Sequence, residues 1–258
     1  MPTVREIEQA LFELAPGEAA MEWDNVGHLL GDPDQAVERV LVALDITEGV
    51  ADEAIASGCQ LVVAHHPVMN CRWTPVQNIR DDTFQGHLFL KLLRNNVSAI
   101  CMHTNLDIAW GGVNDALAQR LELVDPGPLC ENGLGRVGEY PESVALADYV
   151  RFVCQALGCN GLRYADAGKP VRRVAVGGGA CGDMLADAFQ MGCDTFVTSD
   201  VKYNVFLDAK AMGVNLIDAG HYPTENVVCS VLEKWLRSGF PGLEIVQTKE
   251  HKEVFSYL

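Results

Sequence analysis

The segment Leu61-Val62-Val63-Ala64-His65-His66-Pro67 decides how this chain is read. Four apolar residues, two of them β-branched, predict a short buried strand. Pro67 removes a backbone donor and restricts the residue before it, so the strand ends at the two histidines. Neighbouring side chains on a strand point to opposite faces, but at its end they diverge less, and both rings can reach one cavity. A metal site needs neutral imidazoles held at the rim of a rigid element, and this segment offers two. Taken alone, the pair is better read as two partly exposed loop histidines.

Outward from this strand the pattern is α/β. On its N-terminal side, Val40 to Ile46 predicts a strand, and Thr47 predicts the cap of a helix running to about Ser57, closed by Gly58. On its C-terminal side, residues 68–82 predict a polar loop containing Trp73 and Pro75. A helix from Phe84 to about Arg94 and a strand from Val97 to Met102 follow, ending at His103-Thr104-Asn105-Leu106-Asp107. Gly111-Gly112-Val113-Asn114-Asp115 begins another helix. Upstream, Thr3 and Glu6 predict a capping box for a helix with Val4, Ile7, Leu11 and Leu14 on one face. The turn-rich stretch Trp23-Asp24-Asn25-Val26-Gly27 followed by Gly31-Asp32-Pro33 admits two readings: Trp23 plugging the core in a packed loop, or Asp24 or Asn25 beside a ligand.

The pattern then returns. Arg39–His66 aligns with Arg173–Asp200 without a gap at a constant offset of 134, with seven identities that include Gly58-Cys59 against Gly192-Cys193. Internal duplication is the better explanation of such a match. Between the copies, Pro126, Gly127, Pro128, Gly133 and Gly135 mark a less regular connecting segment, with a helix expected inside it from about Val144 to Leu157. The expected division is a first α/β repeat over residues 1–124, a connection over 125–170 and a second repeat over 171–258.

In the second copy, Val214 to Ala219 ends at Gly220-His221-Tyr222-Pro223-Thr224-Glu225, so a histidine precedes a carboxylate by four residues once in each half. Parallel strands share a carboxyl edge, and ligands bind just outside it. His65, His66, His103, Asp107, His221 and Glu225 therefore all fall at strand ends. Such a donor set suits zinc, manganese or iron. It exceeds what one catalytic zinc takes, whereas two ions roughly 3.5–4 Å apart would use it, with Glu225 the expected bridge. Strand-end histidines that merely donate to backbone carbonyls are the alternative.

Composition bounds the function. The 258 residues are 48% hydrophobic and 21% charged, as in a soluble globular protein. The net charge of −16 opposes nonspecific attraction to nucleic acid and to anionic membranes. No apolar run approaches the roughly 20 residues that span a bilayer, and the N-terminus is charged and amphipathic, unlike a signal peptide. Nine scattered cysteines without a Cys-x-x-Cys pair predict reduced thiols and a cytoplasmic location.

Taken in order, Trp23-Asp24-Asn25-x-Gly27, His65-His66-Pro67, His103-Thr104-Asn105-x-Asp107, Gly111-Gly112-Val113-Asn114 and Gly220-His221-x-x-Thr224-Glu225 resemble the NIF-three-like family, also known as GTP cyclohydrolase I type 2 homologues or dinuclear-metal-centre hexameric proteins. The resemblance runs from near residue 3 to the C-terminus and fits the short form without an inserted middle domain. It implies an α/β fold of two similar strand-helix-strand repeats with mixed, mainly parallel sheets facing a shared site. It further implies two divalent ions held by His65, His66, Asp107, His221 and Glu225, with His103 nearby, and a toroidal homo-hexamer built as a trimer of dimers. One departure stands at Asn204, where the family carries a histidine after a Lys-Tyr-like pair; asparagine cannot shuttle a proton near neutral pH. Two functions follow as expectations. The first is a metal-dependent hydrolase acting on a nucleotide-like, phosphoester or cyclic amide substrate, with Asp45, Asp200 and Lys202 as candidate acids. The second is a non-enzymatic metal-handling or regulatory ring.

Overall fold

Thr3 caps α1 (Val4–Leu14) through the full capping box: its hydroxyl accepts from the Glu6 amide, and the Glu6 carboxylate accepts from the Thr3 amide. The computed structural model describes all 258 residues. After α1 come β1 (Gly27–Leu30), β2 (Arg39–Ala43), α2 (Glu48–Ala56), β3 (Leu61–Ala64), α3 (Phe84–Arg94), β4 (Ser98–Cys101) and α4 (Thr104–Ile108). Next are α5 (Val113–Arg120), β5 (Val124–Pro128), β6 (Arg136–Val144), α6 (Leu146–Leu157), β7 (Arg163–Ala165), β8 (Val171–Val176) and α7 (Leu185–Gln190). The chain finishes with β9 (Thr195–Thr198), α8 (Tyr203–Met212), β10 (Asn215–Asp218), α9 (His221–Glu225), α10 (Val227–Gly239) and β11 (Glu244–Gln247). Thr47 and Thr83 cap α2 and α3 with their hydroxyls, as residues of this type do at helix N-termini.

Two compact units result. One comprises Met1–Trp110 with Val228–Lys252, the other Gly111–Val227 with Glu253–Leu258. The first is built on a five-stranded sheet, ordered β1-β4-β3-β2-β11, in which only β1 runs antiparallel. Every residue of β3 and β4 is buried, as expected for parallel strands covered on both faces. One face of this sheet places Leu41, Ala43, Val62, Ala64, Ala99 and Cys101 in a core with Val50, Ala51 and Ala54 of α2 and Leu88, Phe89 and Leu92 of α3.

The second unit holds a six-stranded sheet, β5-β6-β8-β9-β10-β7, whose three central strands are parallel. Residues alternate between two cores, as the period of two requires. Val174, Val176, Val197 and Ile217 pack with α5 and α6, while Ala175, Phe196 and Leu216 pack with α7 and α8. The duplication shows in the pairing. Val40 faces Leu61 in the first sheet and Val174 faces Thr195 in the second, so the offset of 134 holds across both strands of each pair.

Three stretches depart from the sequence expectations. The turn-rich stretch contains β1, an edge strand that pairs with β4 across an irregular register. Residues 125–170 hold the expected helix as α6 but are more regular than a connection around it. They carry most of β5, all of β6, α6 and β7, with Pro126 tolerated because β5 lies at the sheet edge. Finally, His103 and His221 are not equivalent positions. His103 is the cap residue before α4, whereas His221 is the first residue of α9 and Gly220 is its cap.

No helix is long and apolar enough to cross a membrane. All nine cysteines are free thiols, and burial pushes that of Cys101 up to about 12.

Candidate metal centre

In the first unit, the carboxyl ends of β2, β3 and β4 bring together Asp45, His65, His66 and His103. The backbone explains why two adjacent histidines face one way. The amides of His65 and His66 both donate to the Leu44 carbonyl, at 3.1 and 2.9 Å, so the pleat is broken between them. Their ring centroids lie 4.9 Å apart, and the His103 ring stands 5.2 Å from one and 5.5 Å from the other. One ring nitrogen from each of the three falls within 4.8 Å of the other two, close enough to hold a common ion.

Each ring is oriented through Nδ1. His65 Nδ1 lies 2.7 Å from the Met102 carbonyl, which can only accept, so Nδ1 carries the proton and Nε2 keeps its lone pair. His66 Nδ1 donates to Asp45 Oδ1 at 2.7 Å, and His103 Nδ1 to the Asp24 carboxylate at 2.9 Å. Asp107, buried in the first turn of α4, places Oδ1 3.5 Å from His65 Nε2.

Asp24 is therefore the residue of the turn-rich stretch that serves the site. Trp23 does not plug the core; it is 38% exposed. The Asp24 side chain is fully buried and also accepts from the Thr104 amide and hydroxyl, at 3.0 and 2.6 Å. Burial raises its pKa, but the bonds from His103 and Thr104 outweigh that and hold it at about 2. The sign of the pH dependence follows. A carboxyl of about 3.9 in the unfolded chain and about 2 in the folded one stabilises fully above about pH 4, and the contribution disappears as pH falls through about 2. Metal-free Asp24→Asn is accordingly expected to lose less thermal stability than wild type over that acid interval. Parallel acid limbs in the two proteins would contradict it.

Asp45 is held from both sides. Its Oδ1 accepts from His66, and its Oδ2 lies 3.4 Å from Nε2 of buried His251, whose Nδ1 accepts from the Asp45 amide at 3.3 Å. Burial pushes the His251 imidazole down, in keeping with a neutral ring. Nothing in the local sequence signals His251, 206 residues from its partner.

In the second unit, the carboxyl ends of β8, β9 and β10 supply Gly179, Asp200, His221 and Glu225. His221 Nδ1 donates to Asp200 Oδ2 at 2.7 Å, and its Nε2 lies 3.0 Å from Oε2 of buried Glu225. The hydrogen bond from His221 outweighs burial and lowers the Asp200 pKa, so Asp200 is an ionised acceptor and no acid near neutral pH. Gly177-Gly178-Gly179 lets the chain pass close to Glu225. Gly179 has φ +67°, and a Cβ there would stand 2.0 Å from Glu225 Oε1. The Gly179 amide donates to Thr224 and the Gly178 amide to Asn114, at 3.1 and 2.9 Å. Three glycines directly after a strand were the available signal for this loop. Lys202 and Asn204 are exposed, at the cap and in the first turn of α8.

The donor chemistry fits a divalent cation. Imidazoles tautomerically fixed by a carbonyl or carboxylate, with carboxylates beside them, form the outer arrangement that metal-ligating histidines require. Each unit is thus an α/β body carrying a His and carboxylate cluster at the carboxyl edge of its parallel strands. Residues 2–253 match the family described as Duf34/NIF3 (NGG1p interacting factor 3), and the chain belongs to that family. It is 31% identical to the GTP cyclohydrolase 1 type 2 homolog of Clostridium perfringens, with 99% of each chain covered. Identity to the homolog of that name in Streptomyces coelicolor is 37%, over 90% of this chain and 84% of the other. Among solved structures, a Staphylococcus aureus protein matches at 27% identity and a TM-score of 0.91, with 99% of both chains covered. The fold is also shared with a Bacillus cereus protein related to NIF3, at a TM-score of 0.92 and 24% identity, covering 100% and 99%.

Proposed function

We propose that this protein is a dinuclear metal-dependent hydrolase, its two ions held by His65, His66, Asp107, His221 and Glu225. The observation that carries the proposal is the gathering of histidine nitrogens and carboxylate oxygens at ligand spacing. His65, His66 and His103 each place a ring nitrogen within 4.8 Å of the other two, Asp107 lies 3.5 Å from His65 and Glu225 lies 3.0 Å from His221, while Nδ1 of His65, His66 and His221 is held by an oxygen acceptor that fixes each ring. Zinc, manganese or iron suits this nitrogen and oxygen set. Two bound cations would supply a water acidic enough to ionise near pH 7 and would polarise a phosphoryl, amide or ring-carbon electrophile.

The chain's own residues have separate tasks in this reading. Met102 carbonyl, Asp45 and Asp200 fix ring tautomers and orientations. His103, aimed by Asp24, stands beside His65 and His66 and orients what binds there. Asp45 and Asp200 accept hydrogen bonds from ligand histidines, which leaves proton donation to another group. The substrate in this proposal is nucleotide-like, a phosphoester or a cyclic amide, in line with the name borne by the relatives. The working assembly is the cytoplasmic homo-hexamer, a trimer of dimers, that the family resemblance implies.

The test is a panel of nucleotides, phosphoesters and cyclic amides assayed with zinc- or manganese-loaded protein across pH. Turnover that rises with pH through about 7 is the expected outcome. Silence on every substrate, together with ready transfer of metal to an apo-acceptor, would replace the hydrolase with a carrier.

A further inference from the structure

Two of the chain's four tryptophans stand over the histidine cluster, and the centre just described does not use them. The Trp23 and Trp73 ring centroids lie 4.6 Å apart with their planes tilted by 49°. Each presents to the His103 ring nearly edge-on, at 6.0 Å and 5.9 Å. His103 in turn lies 5.2 Å from His65 and 5.5 Å from His66. Neither indole is a core residue, since Trp23 is 38% and Trp73 58% exposed.

The segments that carry them are tied in place. Next to Trp23, the Asp24 carboxylate is anchored by His103 and Thr104, and the Met21 amide donates to the Thr104 hydroxyl at 2.9 Å. Asn25 Nδ2 donates to the Met69 carbonyl at 3.0 Å and so joins the Trp23 segment to the loop bearing Trp73. Within that loop, the Asn70 amide donates to the Thr74 carbonyl at 2.8 Å, the Val76 amide to Asn70 Oδ1 at 3.1 Å, and Cys71 Sγ meets the Thr74 hydroxyl at 2.8 Å. Trp73 is therefore displayed at the turn of a hydrogen-bonded loop.

Leaving two large apolar rings this exposed forgoes burial that would stabilise the fold. A tilted pair this exposed retains stacking surface, and every flat heterocycle has a π-face to offer it. A ligand whose reactive atom sits at His65 and His66 has this aromatic wall within one ring's reach, across His103. Stacking needs flatness alone, so the wall selects for a planar ring and against a bare sugar phosphate.

We propose that Trp23 and Trp73 form the wall against which the planar heteroaromatic ring of a small-molecule substrate stacks, beside His103. The inference rests on the preceding reading only in placing the reactive part of that molecule at the metal ligands.

The test uses the full metal-loaded chain in equilibrium dialysis with three probes: guanosine monophosphate, carboxypterin and ribose phosphate, the last having no aromatic ring. At least one ring-bearing probe should bind more tightly than ribose phosphate. Trp73→Leu should weaken ring-bearing probes by about tenfold to a hundredfold and leave ribose phosphate unchanged, whereas Trp73→Phe should keep most of the affinity. Metal content is measured in the same samples, so a wild type without metal would count against the preceding reading independently of ring binding. Equal binding of all three probes, no binding of either ring, or no effect of Trp73→Leu would overturn the wall. A Trp73→Leu protein of lower mass by light scattering would overturn it as well, by assigning the pair to contact between copies of the chain.

Discussion

Glu225→Gln is expected to yield a folded protein that retains less than about a tenth of the wild-type metal. Glutamine keeps the volume and one acceptor of the side chain, so the first turn of α9 and its packing should survive. What goes is the negative charge of a buried group, 3.0 Å from His221 Nε2. Perturbing residues that only support a ligand already costs about 10–100-fold in affinity, and a bridging carboxylate should cost at least as much. The stability signature is separable. Metal-free wild type and variant should unfold at similar temperatures, whereas excess metal should stabilise the wild type alone, by about 2.7 kcal/mol at a hundredfold excess over Kd. Equal metal-dependent stabilisation of the two proteins would show that Glu225 is no ligand.

The second large effect is expected from Gly179→Ala. A Cβ at this position would stand 2.0 Å from Glu225 Oε1, 2.9 Å from its Cδ and 3.2 Å from His221 Nε2. The left-handed backbone adds roughly 1–2 kcal/mol for any L side chain. The least costly relief is rotation of the Glu225 carboxylate, because the Gly179 backbone is pinned by Thr224, Thr198 and Ser199. That relief removes the ligand. Gly192 provides the control, with φ +72° and no atom within 4 Å of its Cβ position. Gly192→Ala should show the backbone cost alone and keep its metal. Gly179→Ala should show the backbone cost and lose its metal. Retention of metal by Gly179→Ala would mean that the carboxylate does not act from where it stands.

Much of this was visible in the chain because it rests on local chemistry. Thr3, Thr47 and the apolar run before His65 act through neighbours a few residues away, and their elements formed where expected. The duplication was legible for a related reason, since both copies keep the same strand register. β1 and β5 were not legible. Both lie at sheet edges with interrupted registers, so tertiary pairing, and not alternation, makes them strands. The same limit applied at the site. His65, His66, His221 and the carboxylates stood out by position at strand ends. The aiming of His103 by Asp24 spans 79 residues, and the clamp of His251 on Asp45 spans 206. The offset of 134 hid a change of role as well: His66 aligns with Asp200, a proposed metal ligand in one copy and the acceptor that orients His221 in the other.

Anomalous diffraction at the metal edge from crystals of the zinc- or manganese-loaded chain tests the centre most directly. Two peaks per chain are expected, roughly 3.5–4 Å apart, with Glu225 between them and the Nε2 atoms of His65, His66 and His221 as nitrogen ligands. A single peak, or two peaks bound away from Glu225, would contradict a dinuclear centre held by these residues.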